Sequence, residues 1–195
     1  MFLKTKVKAD NINNLTDARY FAAAGVEWLG FSVSNDSQIE DIQSIIDWVD
    51  GVKIVLEING HLTTNDYKAI EALHPNFIQT DIHCDLEELH EAIPVIRVIP
   101  PSVIIDPDLL ELLEENVENT AGFIIDLSAY SWSDLQSDVP VSISTLKKII
   151  EGYSCLLKLN YSSKDINWVI ETLKPDGICL EGGNEEKVGY KSFEP

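Results

Sequence analysis

Short runs of β-branched and aliphatic residues alternate along this chain with longer stretches whose apolar positions recur every three or four residues. The short runs predict strands at 4–10, 28–33, 53–58, 77–80, 95–99, 122–126, 155–159 and 177–180. The stretches between them predict helices at 15–24, 39–48, 65–74, 86–92, 108–117, 143–152 and 164–173. Several boundaries have a chemical cause. Asn14 or Thr16 can cap the first helix, with Asp17 favourable in its first turn. Gly25 stands just past that helix, where the left-handed conformation ends many helices. Thr63 or Thr64 can cap the third helix, and Ser162 or Ser163 the seventh. Pro75, Pro94 and Pro175 each fall between a helix end and the next strand, where a missing N–H disturbs no ladder. Residues 127–141 form the longest irregular stretch and read as an elaborated loop carrying Tyr130, Trp132 and Pro140.

Eight strands in strict alternation with seven helices, in 195 residues, predict a single α/β domain over residues 1–195. The expected architecture is a minimal (β/α)8 TIM barrel. The alternative is a doubly wound open sheet, but no glycine-rich phosphate turn follows the first strand. Residues 185–195 are polar with little helical pattern, so the last helix is expected to be short or missing.

Composition narrows the function. The formal charge of −19 excludes a nucleic-acid footprint, which needs clustered lysine and arginine. It also disfavours highly phosphorylated ligands unless local cations overcome the field. Most of the acids lie on solvated helix faces, as in residues 85–91 and 108–115. No apolar run approaches the roughly 20 residues of a membrane span, and the first residues lack a signal-peptide core. Cys84, Cys155 and Cys179 are odd in number and far apart. Cys155 and Cys179 read as reduced core thiols, and a cytoplasmic location is expected.

The first strand carries the first chemical signal. Lys6, Lys8 and Asp10 alternate with Val7 and Ala9, so the charged row faces the interior that the sheet encloses. An unpaired buried charge is very costly, so a charged interior implies a site or internal ion pairs. Lys8, Arg97 and Lys158 are predicted to point inward from strands one, five and seven. They form either a cationic patch for a carboxylate or phosphate, or ion pairs with Asp10, Glu57, Asp81, Asp126 and Glu181. Tyr130 and Trp132 either stack on a ligand or plug the barrel mouth. His83 and Cys84, with Asp81 and Asp85, lack the spacing of a metal site and read as loop surface, so no metal is expected.

Residues 7–18, VKADNINNLTDA, resemble the opening of phosphoribosylanthranilate isomerases, which runs roughly V-K-I-C-G-I-T-N-x-x-D-A. Residues 22–31 resemble the following A-x-x-A-G-A-D-x-x-G-F, Phe77-Ile78-Gln79 the fourth strand, and Phe123-Ile124-Ile125-Asp126 the sixth. Residues 177–185 resemble the eighth-strand region, D-V-S-S-G-V-E. The resemblance spans nearly the whole chain. It implies a (β/α)8 barrel and an aldose–ketose (Amadori) isomerase of tryptophan biosynthesis. It also implies a small-molecule ligand and no cofactor, with a homodimer as an open option.

In that family a cysteine after strand one is the base and the sixth-strand aspartate the acid. Here the acid is Asp126, and Asp10 occupies the cysteine position. A related histidine-pathway isomerase uses an aspartate at each of these strand ends, so the resemblance implies Asp10 as base and Asp126 as acid. The family's phosphate-binding residues are altered. Leu157-Lys158-Leu159-Asn160 replaces paired glycines, Glu181-Gly182-Gly183 replaces S-S-G, and the S-P-R and G-G-T-G stretches are absent. The amides of Gly182 and Gly183 remain as a candidate anion cradle, opposed by Glu181. The alternative function is a non-catalytic or repurposed barrel holding a small carboxylate or a less phosphorylated ligand.

Overall fold

The computed structural model describes residues 3–33, 37–84, 93–118, 120–162 and 164–183. Eight parallel strands close on themselves in sequence order: β1 (Lys6–Asp10), β2 (Trp28–Ser32), β3 (Lys53–Glu57), β4 (Phe77–Asp81), β5 (Val95–Ile99), β6 (Gly122–Ser131), β7 (Cys155–Asn160) and β8 (Gly177–Glu181). The chain is a (β/α)8 barrel, as the alternation predicts. The helices are α1 (Leu15–Ala24), α2 (Ser37–Ile46), α3 (Thr64–Leu73), α4 (Pro101–Ile104), α5 (Leu109–Val117), α6 (Trp132–Gln136), α7 (Ile143–Gly152) and α8 (Ile166–Leu173). The expected helix over 86–92 and the tail 185–195 lie outside the described residues.

Local chemistry sets the boundaries. The Asn14 side chain accepts the Asp17 N–H at 2.8 Å, and Gly25 closes α1 at φ +82°. Thr63 and Asp66 form a reciprocal capping box on α3. At α8 the expected serine cap is replaced. Ser162 donates its hydroxyl to the Asp165 carboxylate instead, and the helix starts at Ile166. Residues 127–141 also differ from expectation. β6 runs on through a register shift between Leu127 and Ser131, and a Ser131–Asp134 capping box then starts α6.

Alternation divides the core into an inner and an outer part. The inner cluster holds Val55, Ile96, Ile124, Leu156 and Cys179, packed with Trp28, Phe77 and Val98. Every strand except β1 sends it an apolar side chain; β1 sends Lys8. Two larger clusters lie between sheet and helices. One includes Val7, Ala9, Leu29, Leu56 and Ile78, and the other Ile99, Phe123, Ile125, Leu157 and Leu159. Helix positions spaced for one face supply the facing apolar groups, such as Leu146, Ile149 and Ile150 on α7.

β1 and β8 join the two ends of the chain, with Lys6 opposite Gly177 and Asp10 opposite Glu181. A Cβ at Gly177 would stand 2.6 Å from the Lys6 carbonyl oxygen and 2.8 Å from Leu156 Cδ2. Backbone cannot yield there without opening the seam. Gly177→Ala is expected to destabilise by about 1–3 kcal/mol, which lowers Tm by about 2–10 °C in a chain of this size. Gly152→Ala, at a position where nothing lies within 4 Å of an added Cβ, is expected to leave Tm unchanged or raised. Thermal denaturation followed by circular dichroism checks both, and equal melting of the two variants would contradict the seam's tightness.

Candidate functional site at the barrel mouth

The carboxyl ends of the strands surround a cavity of about 340 Å³ lined by Asp10, Glu57, Asp81, Asp126, Lys158 and Glu181, together with neutral residues that include Ser32 and Gln79. This is the end of a (β/α)8 barrel from which side chains of several strands converge on one space. The five acids come from five different strands, β1, β3, β4, β6 and β8.

Below the cavity lies an ion network. Lys8 has no exposed surface, and its ammonium donates to Asp10 and, at 2.6 Å, to Glu57 Oε1. Lys158 Nζ lies 3.1 Å from Asp10 Oδ2 and 2.8 Å from Glu181 Oε1. Glu57 also accepts the Asn11 N–H at 3.1 Å and the Ser32 hydroxyl at 3.3 Å. Position 30 must be glycine for this network to exist. A Cβ there would stand 1.9 Å from Glu57 Oε1 and 2.7 Å from Lys8 Nζ. Asn11 adopts φ +54°, the left-handed turn that asparagine tolerates, and this turn aims its N–H at Glu57.

Burial and pairing act in opposite directions on these groups. Burial disfavours the Lys8 ammonium, but Glu57 and Asp10 outweigh it and raise the pKa. For Lys158 burial is likewise outweighed, chiefly by Asp10. At Asp10 burial favours the neutral acid, yet Lys8 and then Lys158 hold the carboxyl below the usual range. Asp10 is therefore ionised at neutral pH. Cys155 and Cys179 are held as thiols: burial, then Asp176, pushes Cys155 up to about 12, and burial pushes Cys179 well above its ordinary value.

Asp126 sits in the same cavity as Asp10 and is the register partner of Lys158 across β6 and β7. Its Oδ1 accepts the Ser128 N–H at 2.9 Å. Asp81 Oδ1 accepts the His83 N–H, also at 2.9 Å. Among the described residues neither carboxylate has a cationic partner.

The remaining expected site residues depart from the sequence reading. Lys6 is exposed at the start of β1 rather than enclosed. Arg97 does not point into the barrel. Its neighbours Ile96 and Val98 belong to the inner cluster, and its guanidinium donates outward to the carbonyls of Asp81 (3.2 Å) and Cys84 (2.5 Å). Arg97 thus ties down the turn after β4 and adds no cation to the mouth. Gly182 and Gly183 lie beside the site, but the Gly182 N–H donates to the Asp10 carbonyl and the Gly183 N–H to Asp17 Oδ2, both at 2.8 Å. Asp17 is completely buried and also accepts from Asn14 Nδ2 at 3.2 Å. Both amides that would cradle an anion are already bonded within the chain. Tyr130 and Trp132 pack on the outer core instead of stacking at the mouth. Glu57 and Gln79 were the less legible members of the site. The signal for Glu57 is its two-residue spacing from Val55 at the end of the apolar run Ile54-Val55-Leu56.

Among the described residues no group of three or more histidine, cysteine, aspartate or glutamate side chains is arranged to hold a metal ion. No described helix is long and apolar enough to cross a membrane.

No protein-family model and no curated protein sequence matches the chain. Solved structures do match. The phosphoribosylanthranilate isomerase of Thermotoga maritima superposes with a TM-score of 0.72 at 17% identity, over 96% of this chain and 93% of that one. The enzyme of Thermococcus kodakaraensis gives 0.68 at 16%, over 93% and 90%. That of Thermus thermophilus gives 0.63 at 20%, over 96% and 92%. The likeness establishes a shared fold over nearly the whole length.

The network makes stability depend on pH in a defined way. Asp10 loses its proton more readily folded than unfolded, so on acidification the unfolded chain protonates first. Its contribution is full above about pH 4 and is lost as pH falls through the lowered folded value. Lys8 has the opposite sign: its contribution is full below about pH 10 and is lost as pH rises through the raised folded value. Urea midpoints are expected to be flat from about pH 5 to about pH 8, to fall in acid, and to begin falling above about pH 8.5 as the unfolded chain ionises the thiols that Cys155 and Cys179 keep when folded. Asp10→Asn, which leaves a buried ammonium short of one partner, is expected to cost on the order of 3 kcal/mol at neutral pH and to flatten the acid limb. A midpoint that rises from pH 5 to pH 3 would contradict the assignment.

Proposed function

We propose that this barrel is an isomerase of the kind its solved structural neighbours are, working at the mouth on a sugar-amine. Asp126 donates a proton to the ring oxygen as the C1–O bond breaks, leaving an iminium at C1. Asp10 removes the C2 proton to give an enol-amine; C1 then takes that proton back from Asp10 while the C2 hydroxyl gives its proton to Asp126, and C2 becomes the ketone carbonyl. The sequence is a net isomerisation and consumes no oxidant or reductant. The observation that supports it is the convergence of two carboxylates, from the end of β1 and from β6 just before its register shift, on one cavity. Asp10 is ionised, as a base must be.

A second reading has its own support: a barrel that binds a small ligand without turning it over. The pairing of Asp10 with two lysines makes it a weak base, since base strength falls with pKa. The Gly182 and Gly183 amides also have internal acceptors, which removes a natural grip on phosphate.

Turnover of phosphoribosylanthranilate, followed by the change in anthranilate fluorescence, separates the two. The isomerase reading expects measurable but slow turnover, at least about a hundredfold below a general acid–base site with matched pKa values. It also expects that Asp126→Asn abolishes this turnover. Efficient turnover that survives Asp10→Ala would remove Asp10 as base. Silence with this substrate and with unphosphorylated sugar-amines would favour the binding barrel.

A further inference from the structure

We propose that the mouth selects a small polyol carrying a protonated amine and discriminates against phosphorylated ligands. This rests on the reading of the barrel mouth as the ligand site, and it names the class of ligand.

Charge is the first ground. Asp10, Glu57, Asp81, Asp126 and Glu181 line the cavity, and Lys158 is the one cation among its described lining residues. Both nearby lysines are already engaged, Lys8 by Asp10 and Glu57, and Lys158 by Asp10 and Glu181. With Asp126 carrying the proton it donates, four carboxylates against two ammonium groups still leave an excess of two negative charges. An arginine that would have changed the balance, Arg97, is turned to the outer face.

An unsatisfied acceptor is the second, independent ground. Asp10 is 2% exposed and lines the cavity, where its Oδ2 faces Lys158 Nζ at 3.1 Å. The side-chain oxygen of Gln79 is also buried, lines the same cavity and has no hydrogen-bond partner. A buried acceptor without a donor is costly. Here one such acceptor borders the cavity, together with a carboxyl oxygen each of Asp81 and Asp126 not used by a backbone N–H.

The occupant that matches them is a donor-rich cation. A metal ion is a poor match, because the described carboxylates do not converge at coordinating distance. An alkylammonium carries three N–H donors that dispersed acceptors can share, and hydroxyls of a polyol can reach Gln79 and Ser32. A phosphate meets the carboxylate field and finds the Gly182 and Gly183 amides taken.

Isothermal titration of the intact protein near neutral pH with 1-amino-1-deoxyfructose, fructose and ribose 5-phosphate tests this. The aminoketose is expected to bind at least about tenfold more tightly than fructose, the ratio of one modest charge interaction, and ribose 5-phosphate not to bind detectably. Asp81→Asn should remove most of that preference, with the melting temperature of the variant as the check on its folding. Equal binding of aminoketose and fructose, tighter binding of the phosphate, or no binding of any of the three overturns the proposal. Binding with this preference but without turnover overturns the isomerase reading alone, and turnover with a preference for phosphate overturns this inference alone.

Discussion

The ammonium of Lys8 sits inside the barrel with no exposed surface, and much of the interior is arranged around it. Removing such a charge from water costs several kcal/mol unless its partners are close and themselves satisfied. Two carboxylates meet it, from its own strand and from β3. Each in turn is held: Glu57 by the Asn11 amide and Ser32, and Asp10 by Lys158. Gly30 supplies the space by having no side chain. The left-handed turn at Asn11 and the glycine on β2 are therefore consequences of one buried charge as much as of local propensity.

The fold was legible because its signals repeat. Eight short runs of β-branched and aliphatic residues, separated by helical spacing and punctuated by Pro75, Pro94 and Pro175, leave little choice of architecture. The direction of a single side chain is harder to read. In β5, Val95-Ile96-Arg97-Val98-Ile99 is apolar on both faces, so alternation alone cannot say which face takes the arginine. Two backbone carbonyls from the turn after β4 decide it, and nothing near Arg97 in sequence marks them. Tyr130 and Trp132 were misplaced for a related reason. The extension of β6 and the capping box at Ser131 carry them onto the outer core, where an irregular loop would have left them at the mouth.

The site was legible as residue types and illegible as a network. Lys8, Asp10, Asp126 and Lys158 are visible as charges in strand positions, but which carboxylate meets which ammonium depends on register between strands remote in sequence. The glycines after β8 show the same limit. Their amides are free in the sequence and taken in the fold, one by Asp17 on α1. Likeness of fold to the isomerases, at 16–20% identity to the Thermotoga, Thermococcus and Thermus proteins, thus coexists with a mouth of its own composition. Function belongs to such sites and not to the barrel.

The seam between β1 and β8 has a consequence for how the chain reaches this state. Lys8 and Cys179 are paired across it, and Asp17 bonds to Gly183, so the last described residues close the compartment that the first strand opens. Contacts this distant in sequence form only after a large loop-closure entropy has been overcome. Until then Lys8 stays hydrated, and its dehydration coincides with the arrival of β8. A barrel lacking its last strand would leave the lysine wet and the inner cluster open, so partial barrels gain little. The charge at the centre makes assembly of the chain nearly all-or-none.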